Sequence, residues 1–150
     1  MEFFIQIQGI AQLIAALKDS PAIAAPILQR ALTASQAILA KNTNARTVPI
    51  RTGFLVNHFQ WVMSKLQGYW YPTASYAPLV EFGTRPHRIE PKDKQALYWP
   101  GADHPVRFVN HPGTRPNPYM ERIMAASQDD INATFGQAIQ MITRAIAQGA

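Results

Sequence analysis

The chain contains no cysteine in its 150 residues, so disulfide frameworks and thiolate metal sites are excluded, and assembly in a reducing cytoplasm is compatible with its chemistry. Long apolar runs are also missing. The best of them, FFIQIQGIAQLIAAL from Phe3, is broken by three glutamines and a glycine and has no basic segment before it. It predicts neither a signal peptide nor a membrane span. Local enzyme signatures are absent as well: there is no Walker lysine loop, GxGxxG, GxSxG or HExxH. The spacings that build phosphate cradles, nucleophile elbows and helical zinc sites are therefore not present.

Acids are scarce too, 9 against 14 Lys and Arg, for a formal charge of +5. The excess is local. Residues 41–115 hold ten basic and four acidic side chains, whereas the flanking segments are close to neutral. A basic middle of this kind suits an acidic partner or nucleic acid, or serves as a solvated face. With 47% hydrophobic and 15% charged residues, the chain reads as one folded domain over residues 1–150.

Residues 2–8 alternate enough for a short strand, and a helical pattern follows over 9–18. Ser20-Pro21 then breaks the chain, with the serine placed to cap what comes next. Ile23, Ile27, Leu28, Ala31, Leu32, Ser35, Ile38 and Leu39 recur every three or four residues, which predicts a long amphipathic helix, its regular part starting near Pro26. Residues 41–55 read as a mobile basic loop carrying Lys41, Arg46 and Arg51. Phe59, Trp61 and Met63 then alternate with polar or smaller neighbours, as a strand with one buried face does, and a return through Lys65 to Gly68 leads into Tyr69-Trp70-Tyr71.

Residues 72–118 hold nine of the twelve prolines. Proline fixes φ and biases its predecessor towards extended backbone, so this region predicts short strands and stiff Pro-rich arms over about 83–117. Asn117-Pro118 marks a helix start, and Met120, Ile123, Met124, Ile131, Phe135, Ile139, Ile142 and Ile146 form the apolar stripe of a second long amphipathic helix. The expected class is α+β: two long helices on a small, mainly antiparallel sheet, with long Pro-rich loops.

The stretch Tyr76-Ala77-Pro78-Leu79-Val80-Glu81-Phe82-Gly83-Thr84 sets one carboxylate inside an apolar run. Read as a strand, it puts Val80 and Phe82 on one face and Ala77, Leu79 and Glu81 on the other. Buried, Glu81 needs a partner, and Arg85 or an amide of the Gly83-Thr84 turn is the nearest. It has no second titrating group close in sequence, so a structural or interface role is expected and no catalytic residue is assigned. His87 with Glu90, and Asp103-His104 with His111, are the remaining chemical groupings. Convergence of His87, His104 and His111 would make a metal site, but isolated histidines in Pro-rich loops are more often surface residues; no metal or cofactor is expected.

Gly83-Thr84-Arg85-Pro86 recurs as Gly113-Thr114-Arg115-Pro116. Glycine followed by an Arg-Pro exit reads, in both places, as a turn that launches an arm, with His87 beginning the first. The middle is rich in aromatics, Trp61, Tyr69, Trp70, Tyr71, Tyr76, Phe82, Tyr98, Trp99 and Phe108; core packing is the default for each, some are expected to anchor interfaces, and Trp61 and Phe82 are assigned to the core.

Several ordered pieces together resemble one known family, the minor tail components of long-tailed bacteriophages that complete the tail and join it to the head. They are Val48-Pro49-Ile50-Arg51-Thr52-Gly53-Phe54-Leu55, like the family's P-x-x-TG-x-L; Tyr76-Ala77 with Val80-Glu81-Phe82-Gly83-Thr84, like its YAxxVEFGT; Pro86-His87-Arg88-Ile89-Glu90-Pro91-Lys92; His111-Pro112-Gly113-Thr114; and Asn117-Pro118-Tyr119-Met120 before the last helix. VEFGT is the most specific. The sequence departs from the pattern in Tyr119, where the family has phenylalanine, and in Glu121-Arg122-Ile123, where a second proline often follows.

The resemblance implies a non-enzymatic virion protein of the phage neck. It would act as a ring of several copies, six in the family, touching connector and tail proteins, with transient contact to genomic DNA in the lumen and no membrane. It would assemble in the host cytoplasm. Glu81, Phe82, Gly83, Thr84, Arg85, Pro86 and His87, with Gly113, Thr114, Arg115 and Pro116, are then the candidate turn and subunit-interface residues. Arg46, Arg51, Arg88, Lys92 and Lys94 are the candidate basic surface. The competing readings are a basic nucleic-acid-binding module and a small metal-dependent hydrolase.

Overall fold

The computed structural model describes residues 5–6 and 21–147. The helical pattern read over 9–18, the cap assigned to Ser20 and most of the strand read over 2–8 lie outside the described residues. Within them the chain is α+β, with three helices and two small antiparallel sheets.

Helix α1, Pro21–Asn42, and helix α2, the short Ala77–Phe82, precede the last helix α3, Tyr119–Ala147. α1 begins before Pro26, which lies inside it. The side chains it buries, Ala24, Leu28, Ala31, Leu32, Ser35 and Leu39, keep to three- and four-residue steps and so share one face. That face meets α3 antiparallel: Ala24, Leu28 and Leu32 cluster with Ile142, while at the other end Asn42 Nδ2 donates to the Ala126 carbonyl at 2.9 Å and to Ser127 Oγ at 3.0 Å. The buried Ser35 and Ser127 hydroxyls donate to the Ala31 and Ile123 carbonyls one turn back. Thus the helices can pack closely here with both buried hydroxyls paired.

Strands β1 (Ile5–Gln6), β2 (Phe59–Ser64) and β3 (Gln67–Pro72) form a sheet in the order β1-β3-β2. Ser64 pairs with Gln67, so the hairpin turns on Lys65-Leu66 alone, and Lys65 takes a left-handed φ of 53°. The alternation read in β2 holds for Phe59 and Trp61, which pack on the core, but Met63 stays 44% exposed. Trp70, buried on the neighbouring strand, stacks on Phe59 with centroids 5.5 Å apart and donates its indole N–H to Thr43 Oγ1 at 3.0 Å. This ties the sheet to the segment that follows α1.

The expected basic loop over 41–55 differs from the structure at both ends. Residues 41 and 42 belong to α1, and Thr47, Val48 and Leu55 are buried. Thr47 Oγ1 donates to the Asn42 carbonyl, and the Arg46 amide donates to Asn44 Oδ1, a side chain-to-backbone turn that gives the loop a defined path. Arg46 and Arg51 remain exposed.

A second, two-stranded sheet joins β4 (His87–Ile89) to β5 (Val109–His111). Here the expectation of two separate arms is corrected: residues 83–117 form the two limbs of one antiparallel arm. The reason is that extended Pro-flanked limbs still carry backbone donors and acceptors, which pair best with each other.

Trp61 covers the buried Gly68, where an added Cβ would lie 1.9 Å from the indole ring. Gly68→Ala should therefore push the indole off its site and destabilise the fold by about 1–3 kcal/mol. Urea denaturation followed by tryptophan fluorescence measures this; an unchanged midpoint would show that the indole does not need the space.

Candidate functional site

The Tyr76–Thr84 stretch is helical where the sequence reads as a strand. Six residues are too few to display a helical period, and Pro78 near the helix start favours that geometry. The helix changes which residues share a face. Ala77 and Glu81, four apart, are buried together, while Leu79 and Phe82 are 54% and 53% exposed. The assignment of Phe82 to the core is thus overturned: on a helix it falls on the outer side. Trp61, by contrast, does pack on the core.

Glu81 finds its partner neither in Arg85 nor in the Gly83-Thr84 turn. Its Oε2 accepts the backbone N–H of Met120 at 3.1 Å, in the first turn of α3. Helix starts leave amides unpaired and carry partial positive charge, so a carboxylate there caps the helix. The favour is returned: the Asn117 amide donates to the Val80 and Glu81 carbonyls at 3.0 and 3.1 Å, closing the end of α2. The buried Tyr119 hydroxyl also donates to the Ala77 carbonyl at 3.2 Å. The Asn117 side chain, at the expected helix start, accepts from Arg122 Nη2, while Arg122 Nε donates to the Thr47 carbonyl at 2.9 Å. Nothing local in the sequence signals this joint, because Glu81 and Met120 are 39 residues apart.

Burial pushes the Glu81 carboxyl above its ordinary pKa, reinforced by nearby Glu121 and opposed by the amides of Met120 and Tyr119 and by Arg122. The Tyr119 phenol is also raised, first by burial and then by Glu81 and Tyr76.

From this joint the chain leaves at Gly83 and comes back at Pro116. The two GTRP copies face each other there. The Thr84 amide donates to the Thr114 carbonyl at 3.0 Å, the Thr114 amide to the Thr84 carbonyl at 3.1 Å, and the two hydroxyls lie 3.2 Å apart. Both glycines are needed for this approach. Gly83 has φ +70° and Gly113 φ +85°, and a Cβ on either would lie 2.3 or 2.2 Å from the opposing threonine carbonyl. The internal echo is therefore the root of one arm, nearly symmetric about its own axis.

Beyond the root, His87 pairs with His111, Arg88 with Asn110 and Ile89 with Val109, and a further bridge joins Leu97 to Val106. The His87 and His111 rings lie 5.0 Å apart, but each Nδ1 is engaged close to its own turn: His87 with the Arg85 carbonyl, His111 as acceptor of the Gly113 amide. Among the described residues no group of three or more His, Asp or Glu is placed to hold a metal ion. Arg88 lies 3.6 Å from the Phe108 ring centroid and pairs with Glu90 at 2.8 Å. Arg85, Pro86, Arg115, Pro116, Lys92 and Lys94 are exposed along the arm. Arg46 and Arg51 sit apart in sequence, on the segment after α1. At the far end Tyr98 and Trp99 are 67% and 47% exposed.

No family model, curated protein or solved structure matches the chain.

A feature that the sequence reading did not single out is an open groove of about 590 Å³ between Pro49–Leu55 and the side of α2 at Tyr76 and Val80. Ile50 and Phe54 there are 52% and 46% exposed. Its lining comes from two motifs, over residues 48–55 and 76–84, which nothing in the sequence brings together.

Two outcomes test the joint and the root. Glu81→Ala, which strands the Met120 amide, should cost about 1–2 kcal/mol, whereas Glu81→Gln keeps an acceptor and should cost less. Because the folded chain holds the Glu81 proton more tightly than the unfolded chain, its contribution is full at low pH and is lost as pH rises from the ordinary glutamate value through the raised one. Wild-type stability relative to Glu81→Gln should fall over that window in urea titrations; a flat difference would contradict it. Gly83→Ala and Gly113→Ala should each speed amide exchange at the root threonines while leaving the α1 and α3 amides protected.

Proposed function

We propose that the protein is a structural component of the phage neck or tail end, which forms an oligomeric ring, completes the tail and helps join it to the head. The reading rests on the resemblance of VEFGT and its companion motifs to the tail-completion family. The observation that carries it further is the arm. Residues 83–117 leave the body through a joint where the one buried carboxylate among the described residues is used to close a helix, and the limbs end in exposed aromatics. A side chain spent on capping is not free for acid-base work, while a braced outward arm is suited to grasping a neighbouring subunit.

The physical economy of such an arm supports the same reading. Prolines restrict the limbs before any partner is met, so less freedom is lost on binding. Ring closure requires unlike surfaces to meet between identical copies, and the arm and the body provide them. The basic side chains Arg46, Arg51, Arg85, Arg88, Lys92, Lys94 and Arg115 would meet acidic groups of a neighbouring subunit or line the DNA passage. In this function the protein catalyses nothing and needs no cofactor.

Particles assembled without this chain should accumulate as full heads separate from tails, or as tails with an unfinished end, when viewed by electron microscopy; normal infectious particles would refute the reading. The nucleic-acid alternative is checked separately. A dedicated DNA-binding module should hold free duplex with a steep salt dependence, whereas a neck component should show no tight binding near physiological salt.

A further inference from the structure

The arm ends in an apolar knob, and the body carries an apolar groove. Tyr98 and Trp99 at the knob are exposed, and Ile50, Phe54 and Tyr76 around the groove are partly so. Exposed aromatics of this size cost free energy in water unless they are covered, and Tyr and Trp are the residues most often found anchoring interfaces.

No residue of the arm lines the groove of its own chain among the described residues. The groove borders α2, and the arm starts at Gly83, directly after that helix. From Thr84 to Ile89 the paired limbs rise about 17 Å at roughly 3.4 Å per residue, and the Leu97 to Val106 bridge lies further out. While the root stays paired, the knob is held at the far end of this stiff span.

Charge narrows the choice of occupant. Between Tyr98 and Pro105 the only charged side chain is Asp103, and the only one lining the groove is Arg51. Each surface is apolar with a single charge, and the two charges are of opposite sign.

We propose that the Tyr98-Trp99 knob of one copy docks into the Ile50-Phe54-Tyr76 groove of the next, with Asp103 meeting Arg51 at the rim. This deepens the ring reading and rests on it. Knob and groove are different surfaces, so the contact is heterologous: each copy gives a knob and receives one, and repetition closes a ring if the rotation allows. The stiff arm sets that rotation. The groove then has a defined occupant, the aromatic hairpin tip of an identical subunit.

The absence of cysteine makes the test direct. Ile50→Cys and Trp99→Cys, prepared as separate proteins, are mixed and mildly oxidised; a disulfide-linked mixed dimer should dominate over either homodimer. Tyr98→Ala/Trp99→Ala should weaken self-association by about tenfold or more in sedimentation velocity, with an unchanged circular dichroism spectrum showing that the body still folds. Asp103→Arg and Arg51→Asp should each weaken association, and the two proteins mixed should associate better than either alone.

Oligomers that persist without a mixed disulfide, and that tolerate loss of both aromatics, would overturn the knob-and-groove contact while leaving the ring reading in place. A bridge from Ile50→Cys to Ile10→Cys within one chain, in preference to Trp99→Cys, would assign the groove to the chain's own leading segment and overturn the contact too. A wild-type chain that remains monomeric at every concentration would overturn both the contact and the ring.

Discussion

The joint between α2 and α3 is the constraint on which the rest of the molecule depends. One carboxylate, Glu81, closes the start of a 29-residue helix, and one amide, Asn117, closes the end of a six-residue helix. Each helix end supplies what the other lacks. The buried Tyr119 hydroxyl adds a third bond across the same joint, and Arg122 extends it to the Thr47 carbonyl and hence to the segment after α1. Without this exchange the short helix would have little reason to persist, since a helix of that length is not stable by itself. The paired root of the arm would then have no fixed base.

Hydrogen bonding offsets the cost of burying a carboxyl at this joint. The acid is held above its ordinary pKa by desolvation, yet two amides and a guanidinium favour its ionised form. The balance leaves a group whose charge state is a stability variable of the fold. That is a different role from a catalytic acid, which must hand its proton to something outside.

Much of the architecture was legible in the sequence because it is periodic. The three- and four-residue rhythm from Ile23 to Leu39 marks a helix that does run Pro21–Asn42, and the stripe from Met120 to Ile146 marks another, Tyr119–Ala147. The alternation through Phe59 and Trp61 and the return into Tyr69 gave a hairpin that is present. What was not legible depends on distant partners. Val80-Glu81-Phe82 is too short to declare a period, so its helix and the outward position of Phe82 were missed. The Glu81 cap lies on another element, and two recurring GTRP turns look alike whether they launch two arms or root one. Strand pairing is decided by which backbones are left unsatisfied, and that is settled only when the chain is assembled. The groove beside α2 is likewise made by two segments that meet only in the fold.

The paired GTRP root bears on how the molecule can vary. Its bonds are between backbone atoms and two threonine hydroxyls, and its geometry is set by two glycines. None of these depends on what lies beyond His87 and His111. The root therefore acts as a socket: it insulates the packed body from the sequence and the length of the limbs it holds. Evolution could lengthen, shorten or re-letter the intervening hairpin without disturbing the core, so that one scaffold is refitted to new neighbours by exchanging a cassette.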